Sequence, residues 1–255
     1  MEVTLTTYLI VCPLVFLAAV IDSIGGGGGL ISIPAFLMAG LPPHAAIATN
    51  KLSAFGGISL ATLHFCRAGC VSFKLAVPSV IAAVAGSAIG AHCSLLISEQ
   101  VLNWVLLILL PVTAGFVLNK KMFNDNGKDS IELDARAYAV ATIAAFALGF
   151  YDGFYGPGTG TLLIIAFTVF AGLSMRSANG QAKVINLTTN VTSLVVFLLN
   201  GQVLIPLGLA ACAFNMLGGH IGAVLALKNG SRIVKPTILL VLGLLFLKIV
   251  TGFFA

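Results

Sequence analysis

The chain has 255 residues, of which 59% are apolar and only 8% are charged, and its mean hydropathy is +1.09. A globular domain carries about 25% charged residues, so this composition cannot cover a water-facing surface and excludes an ordinary soluble enzyme. The formal net charge of +5 does not point to nucleic acid either, because the basic residues stand singly at the ends of apolar stretches, as in cytoplasmic loops. In lipid only helices and closed barrels satisfy their backbone hydrogen bonds. The apolar runs lack the period-two alternation of barrel strands and have the ~17–25-residue length of a spanning helix. The expected fold is all-α: a polytopic helical bundle in the cell membrane.

In chain order, apolar stretches fall at 5–23, 26–41, 44–66, 71–96 and 100–118. The first has no basic residue ahead of it and no small-residue cleavage site, so it reads as a span rather than a signal peptide. A polar interval at 119–134 follows, rich in lysine and acidic residues, and further apolar stretches fall at 136–155, 158–173, 176–199, 203–227 and 233–254. The chain thus divides into a first membrane repeat at 1–118, a cytoplasmic linker at 119–135 and a second repeat at 136–255. Arg67, Lys74, the linker lysines, Arg176, Lys228, Arg232 and Lys235 are placed inside by the basic-residue rule. The loops at 94–100 and 200–206 hold neither Lys nor Arg and are placed outside with both termini. The five cysteines, Cys12, Cys66, Cys70, Cys93 and Cys212, have no metal-ligand spacing and read as small packing residues.

Sliding the sequence against itself by 132 positions brings Gly40-Leu41 onto Gly172-Leu173, Lys51 onto Lys183, and Gly86 and Gly90 onto Gly218 and Gly222. Asp22 and Asp152 each precede a glycine cluster by a few residues. Matching loops differ in charge: 67–74 is basic while 200–206 is uncharged. Five segments per half make the second copy enter from the other side, which predicts inverted-topology repeats of the kind secondary transporters use, with a site near the midplane.

The glycine clusters Gly25-Gly26-Gly27-Gly28-Gly29 and Gly156-Pro157-Gly158-Thr159-Gly160 mark broken helices, since glycine costs ~1 kcal/mol per residue in a helix interior. The first lacks the Gly-Lys-Ser/Thr ending of a phosphate loop. Paired breaks point to a transport site; interfacial turns between hairpin helices are the plainer reading. Lys51 and Lys183 each lie about seven residues into an apolar stretch, ~10 Å deep at 1.5 Å per residue. An ammonium there is costly, so either it snorkels to the interface or the two gather an anion. Candidate substrate-binding residues are Lys51, Lys183, Asn50, Thr49, Gln181, Asn186, Gly27, Gly28, Gly29, Gly158, Thr159 and Gly160. Asp22 and Asp152 could neutralise the lysines, take up protons or face the interface, and His220, beside Gly218-Gly219, is a further proton-coupling candidate.

Gly25 to Pro34 with Ala48-Thr49-Asn50-Lys51, and Gly156-Pro157-Gly158-Thr159-Gly160 with Gly180-Gln181-Ala182-Lys183, resemble the TauE/SafE family of sulfite exporter-like membrane proteins over nearly the whole chain. The resemblance implies a secondary transporter of sulfite, organosulfonates or related small organic anions, coupled to protons and working by alternating access. Its all-glycine first cluster departs from the family pattern. An anion channel of the same architecture is the alternative. No catalytic triad, metal-spaced cluster or nucleotide motif is present in the sequence, so no enzymatic activity, cofactor or metal is expected. The expected partners are a small anionic substrate and the lipid bilayer, not nucleic acid, and assembly as a homo-oligomer stays open.

Overall fold

The computed structural model describes residues 4–98, 100–101, 134–230, 232–234, 236–237 and 240. The stretches at 100–118 and 233–254 and the linker at 119–135 lie almost wholly outside the described residues. Within them the chain forms α1 (Leu5–Gly25), α2 (Gly29–Met38), α3 (Pro43–Arg67) and α4 (Phe73–Leu96). After the linker come α5 (Ala135–Phe154), α6 (Thr159–Ile165) running into a π-helical turn (Ala166–Phe170), α7 (Met175–Leu199) and α8 (Ile205–Asn229). No described residue lies in a strand. The all-helical membrane architecture read from composition is therefore present.

Among the described residues five helices, α1, α4, α5, α7 and α8, are long and apolar enough to cross a bilayer. At 25 residues α3 is as long as α7 and α8, but Thr49, Asn50 and Lys51 lower its hydropathy. The short second element of each half is also seen, and its boundaries have a backbone cause. Gly25 still belongs to α1 and Gly29 already opens α2, so the first break spans three residues rather than five. Gly26 and Gly27 take φ of +78° and +84°, and Gly156 and Gly158 take +101° and +85°. That left-handed region is strained for any residue with a Cβ.

Helices in lipid associate through close packing and polar contacts rather than the hydrophobic effect, so small residues mark their seams. Along α4 against α5, a Cβ on Gly86 would sit 2.2 Å from Phe146 O and one on Gly90 would sit 2.1 Å from Phe150 O. Along α8 against α1, a Cβ on Gly218 would sit 2.3 Å from Phe16 O and one on Gly222 would sit 2.4 Å from Val20 O. Each half thus lays its last described helix against the first helix of the other half.

The two broken-helix partners, α3 and α7, run in opposite directions. Near the start of α3, Thr49 Oγ1 accepts from Leu204 N at 3.1 Å, just past the end of α7. Near the start of α7, Gln181 Nε2 donates to Ser72 O at 2.9 Å, just past the end of α3. Midway, Thr62 Oγ1 donates to Lys183 O at 3.2 Å.

These seams leave no room for side chains. Gly90→Leu is expected to lower the thermal unfolding midpoint of the detergent-solubilised protein sharply or abolish its monodisperse elution. Overpacking of this kind costs about 1–3 kcal/mol or more, and here the clash is with backbone. Val77→Leu, on the 60% exposed position of the same helix, should leave the midpoint unchanged; equal effects of the two would refute the packing account.

Candidate functional site

A buried helix end must find partners for its last carbonyls, because membrane depth offers no water. The end of α1 is satisfied from the second half of the chain. Asn179 Nδ2 donates to Ile24 O at 2.8 Å, Thr161 Oγ1 donates to Gly25 O at 2.8 Å, and Lys183 Nζ donates to Asp22 O. The end of α5 is closed from the first half: Lys51 Nζ donates to Asp152 O at 2.7 Å. Tyr151 adds its hydroxyl to Pro157 O at 2.7 Å.

The same two ammonium groups make crossed ion pairs. Lys51 Nζ lies 2.8 Å from Asp152 Oδ2, and Lys183 Nζ lies 3.0 Å from Asp22 Oδ2. Both lysines are buried, at 2% and 0% exposure, which rules out snorkelling to the interface. Asp22 stands in the last turn of α1, where a carboxylate opposes the helix dipole; the ammonium offsets both charges. Of the three roles open to the aspartates, neutralising the lysines is the one this geometry displays.

The breaks also touch each other. A Cβ on Gly26 would lie 2.2 Å from Thr161 N, and one on Gly29 would lie 3.2 Å from Pro157 Cα. Around this crossing lies a cavity of about 50 Å³, several times the ~10–15 Å³ needed for one water on that measure. Its wall includes Lys51, Asp22 and Asp152, the amides of Asn50, Asn186, Asn190 and Asn215, the hydroxyl side chains of Ser23, Ser32, Tyr155 and Thr159, and Gly27, Gly28, Gly29, Gly158 and Gly160. Its apolar contributors are small apart from Ile58. Oδ1 of Asn50 and Oδ1 of Asn190 are buried and have no hydrogen-bond partner among the described residues.

Of the residues singled out in the sequence, Lys51, Asn50, Asn186, Thr159 and the five glycines lie on this wall with both aspartates. Lys183 does not: its ammonium is turned wholly onto Asp22. Thr49 and Gln181 also lie off the wall, bound to the loops beyond α7 and α3 respectively. His220 is on an exposed face of α8, where its Nδ1 meets His64 Nε2 at 2.8 Å, and is not part of the cavity. The wall also holds Ser23, Ser32, Tyr155, Asn190 and Asn215, which are not among the candidates read from the sequence. A lone asparagine in the apolar run of α8 was the available signal for Asn215, which reaches the cavity because Gly57 lets α8 approach α3: a Cβ there would stand 2.0 Å from Asn215 Oδ1.

The family model for the sulfite exporter TauE/SafE matches residues 11–249. The chain belongs to the TauE/SafE family. Its relatives in that family include a probable membrane transporter protein of Haemophilus influenzae, 35% identical over 236 residues, covering 92% of this chain and 91% of the relative. YfcA of Escherichia coli K12, also named a probable membrane transporter protein, is 35% identical over 91% of this chain and 86% of its own length. YunE of Bacillus subtilis, named likewise, is 24% identical over 94% of this chain and 96% of its own. No solved structure matches the chain. As a TauE/SafE protein it is a multi-pass membrane transporter, and the lysines and breaks described above are where this member carries its buried charge.

Removing one partner of a buried ion pair strands the other, typically at a cost of about 3–5 kcal/mol. Lys183→Met is therefore expected to lower the unfolding midpoint in detergent strongly, and adding Asp22→Asn to it should recover most of the loss. A double variant as unstable as the single one would show that the pair does not hold the break.

Proposed function

We propose that this TauE/SafE protein is a proton-coupled secondary transporter of a small anion, of the sulfite, organosulfonate or related small organic-anion class. The observation that carries this reading is the cavity at the crossed breaks. It presents one ammonium, four carboxamides, hydroxyls and glycine backbone, together with the two ion-paired carboxylates, around about 50 Å³, and it sits among helices long and apolar enough to cross the bilayer. An ammonium has three hydrogens to donate; Lys51 gives two directions to Asp152 and keeps donor capacity for a guest. Amide N–H groups complete a shell for oxygen atoms, and glycine lets a ligand approach the main chain closely. The family's description as a sulfite exporter supports the anion class.

Alternating access follows from reading the halves as inverted repeats. Support comes from the crossed lysine–aspartate pairs, the matched glycine seams and the opposed directions of α3 and α7. In this reading the linker at 119–135 is cytoplasmic and both termini are outside, as the basic residues indicate.

The test is uptake in proteoliposomes of sulfite, thiosulfate, methanesulfonate, sulfoacetate, taurine and short carboxylates, with and without a pH gradient. Saturable uptake of one of them, raised by the gradient, is expected; flux rising linearly with concentration would instead indicate a channel. Lys51→Met should reduce uptake to the level of protein-free liposomes. Lys51→Arg should fail as well, because a planar guanidinium does not fit the ammonium's place against Asp152. Wild-type uptake by Lys51→Met would eliminate the cavity as the transport site.

A further inference from the structure

The two ion pairs match in composition and differ in surroundings, and the difference assigns them separate tasks. Lys51 lies on the cavity wall and Lys183 does not. Both oxygens of Asp22 are held: Gly28 N donates to Oδ1 at 3.1 Å and Lys183 Nζ lies 3.0 Å from Oδ2. The carboxylate of Asp152 is held by Lys51 alone among the described hydrogen bonds, at Oδ2. Asp152 is also the more enclosed, with 8% of its side chain exposed against 18% for Asp22.

Resting on the anion reading of the cavity, we infer that Asp152 carries the coupling proton, taking it up as the anion reaches Lys51, while the Asp22–Lys183 pair stays ionised and keeps the first break closed. Charge balance drives the step. Two ammoniums and two carboxylates make the empty site neutral, so a monoanion leaves one uncompensated negative charge out of water. Two negative groups on one ammonium compete for it, and the like-charge neighbour favours protonation of the carboxylate that has no other donor. The proton comes from water on the side to which the cavity opens and attaches to an Asp152 oxygen, and it leaves when the anion does. No covalent bond of the protein or the anion is made or broken.

The other groups around Asp152 leave it this task. Lys51 faces it from α3. Tyr151 is on its own helix, with its hydroxyl committed to Pro157 O, and Tyr155 follows directly at the helix end. Asp22, across the cavity on α1, is bound to Lys183 of α7. The wall residues from α2, α6 and α8, among them Ser32, Thr159 and Asn215, carry no charge. Along α4 the groups against α5 include Ala83, Gly86, Ser87, Gly90 and Ala91, none of which carries charge.

The experiment uses the full chain in detergent, weakly buffered near neutral pH with an indicator dye, and methanesulfonate as probe, a monoanion that does not titrate there. Wild type should take up about one proton per methanesulfonate bound, and its affinity should fall up to tenfold per pH unit as pH rises. Infrared difference spectra should show a protonated carboxyl appearing with the anion. In Asp152→Asn the proton-to-anion ratio should drop to zero and the affinity should change less than twofold between pH 6 and 8; the double variant Asp22→Asn with Lys183→Met, which removes one charge of each sign and leaves the empty site neutral, should keep the infrared band. If Asp152→Asn does not fold, the wild-type ratio, with the infrared band tracked in Asp152→Glu for a shifted frequency, decides the matter. Methanesulfonate binding without proton uptake, or uptake and band retained in Asp152→Asn, overturns the assignment while leaving the anion site standing. Failure of wild type to bind any anion of the uptake panel overturns the anion reading and the proton assignment together.

Discussion

Two buried lysines, each bridging to an aspartate at the broken end of a helix from the other half of the chain, are the constraint on which the rest of the structure depends. A helix stopped inside the bilayer leaves carbonyls that lipid cannot satisfy, and an ammonium in the same place is costly without a partner. Put together, each solves the other's difficulty. Lys51 takes both the main-chain carbonyl and the carboxylate of Asp152, and Lys183 does the same for Asp22. Because the bridges are crossed, neither half can close its own break.

The glycine seams serve this arrangement. α1 must lie against α8 and α5 against α4 for the two breaks to meet, and those seams are built from Gly218 and Gly222 on one side and Gly86 and Gly90 on the other. Where the breaks cross, Gly26 lies against Gly160 and Thr161 with no space for a Cβ. The cavity is what remains around that crossing, walled by α1, α3, α5, α7 and α8 and by both short helices. A cavity lined by charged side chains is thereby held among long apolar helices.

Much of this was legible in the sequence, and the part that was not has physical reasons. Fold class followed from composition, and the two short, interrupted elements followed from the glycine clusters, because both depend on local cost alone. The depth of Lys51 and Lys183 signalled importance, but no periodicity tells which way a side chain turns once helices cross. Hence Lys183, Gln181 and Thr49 carry the same weight as Lys51 in the sequence, though in the fold they face helix ends and loops instead of the cavity. His220 looked like a proton site because it sits in an apolar run, and its register on α8 carries it to His64. Asn215 escaped notice because its place depends on a close helix approach at Gly57 (a tertiary fact). The lysine–aspartate crossing was open as one of three alternatives, and choosing among them needed the spatial order of α1, α3, α5 and α7.

A small anion beside Lys51 is the proposed occupant of the cavity. An oxyanion containing a heavy scatterer reports this directly: crystals grown with selenate or selenite, measured at the selenium edge. Occupancy of the cavity predicts one anomalous peak within hydrogen-bond distance of Lys51 Nζ, between the glycine breaks, that disappears in Lys51→Met crystals. A peak confined to surface lysines and arginines, or one that persists in the cavity without the Lys51 ammonium, would contradict it.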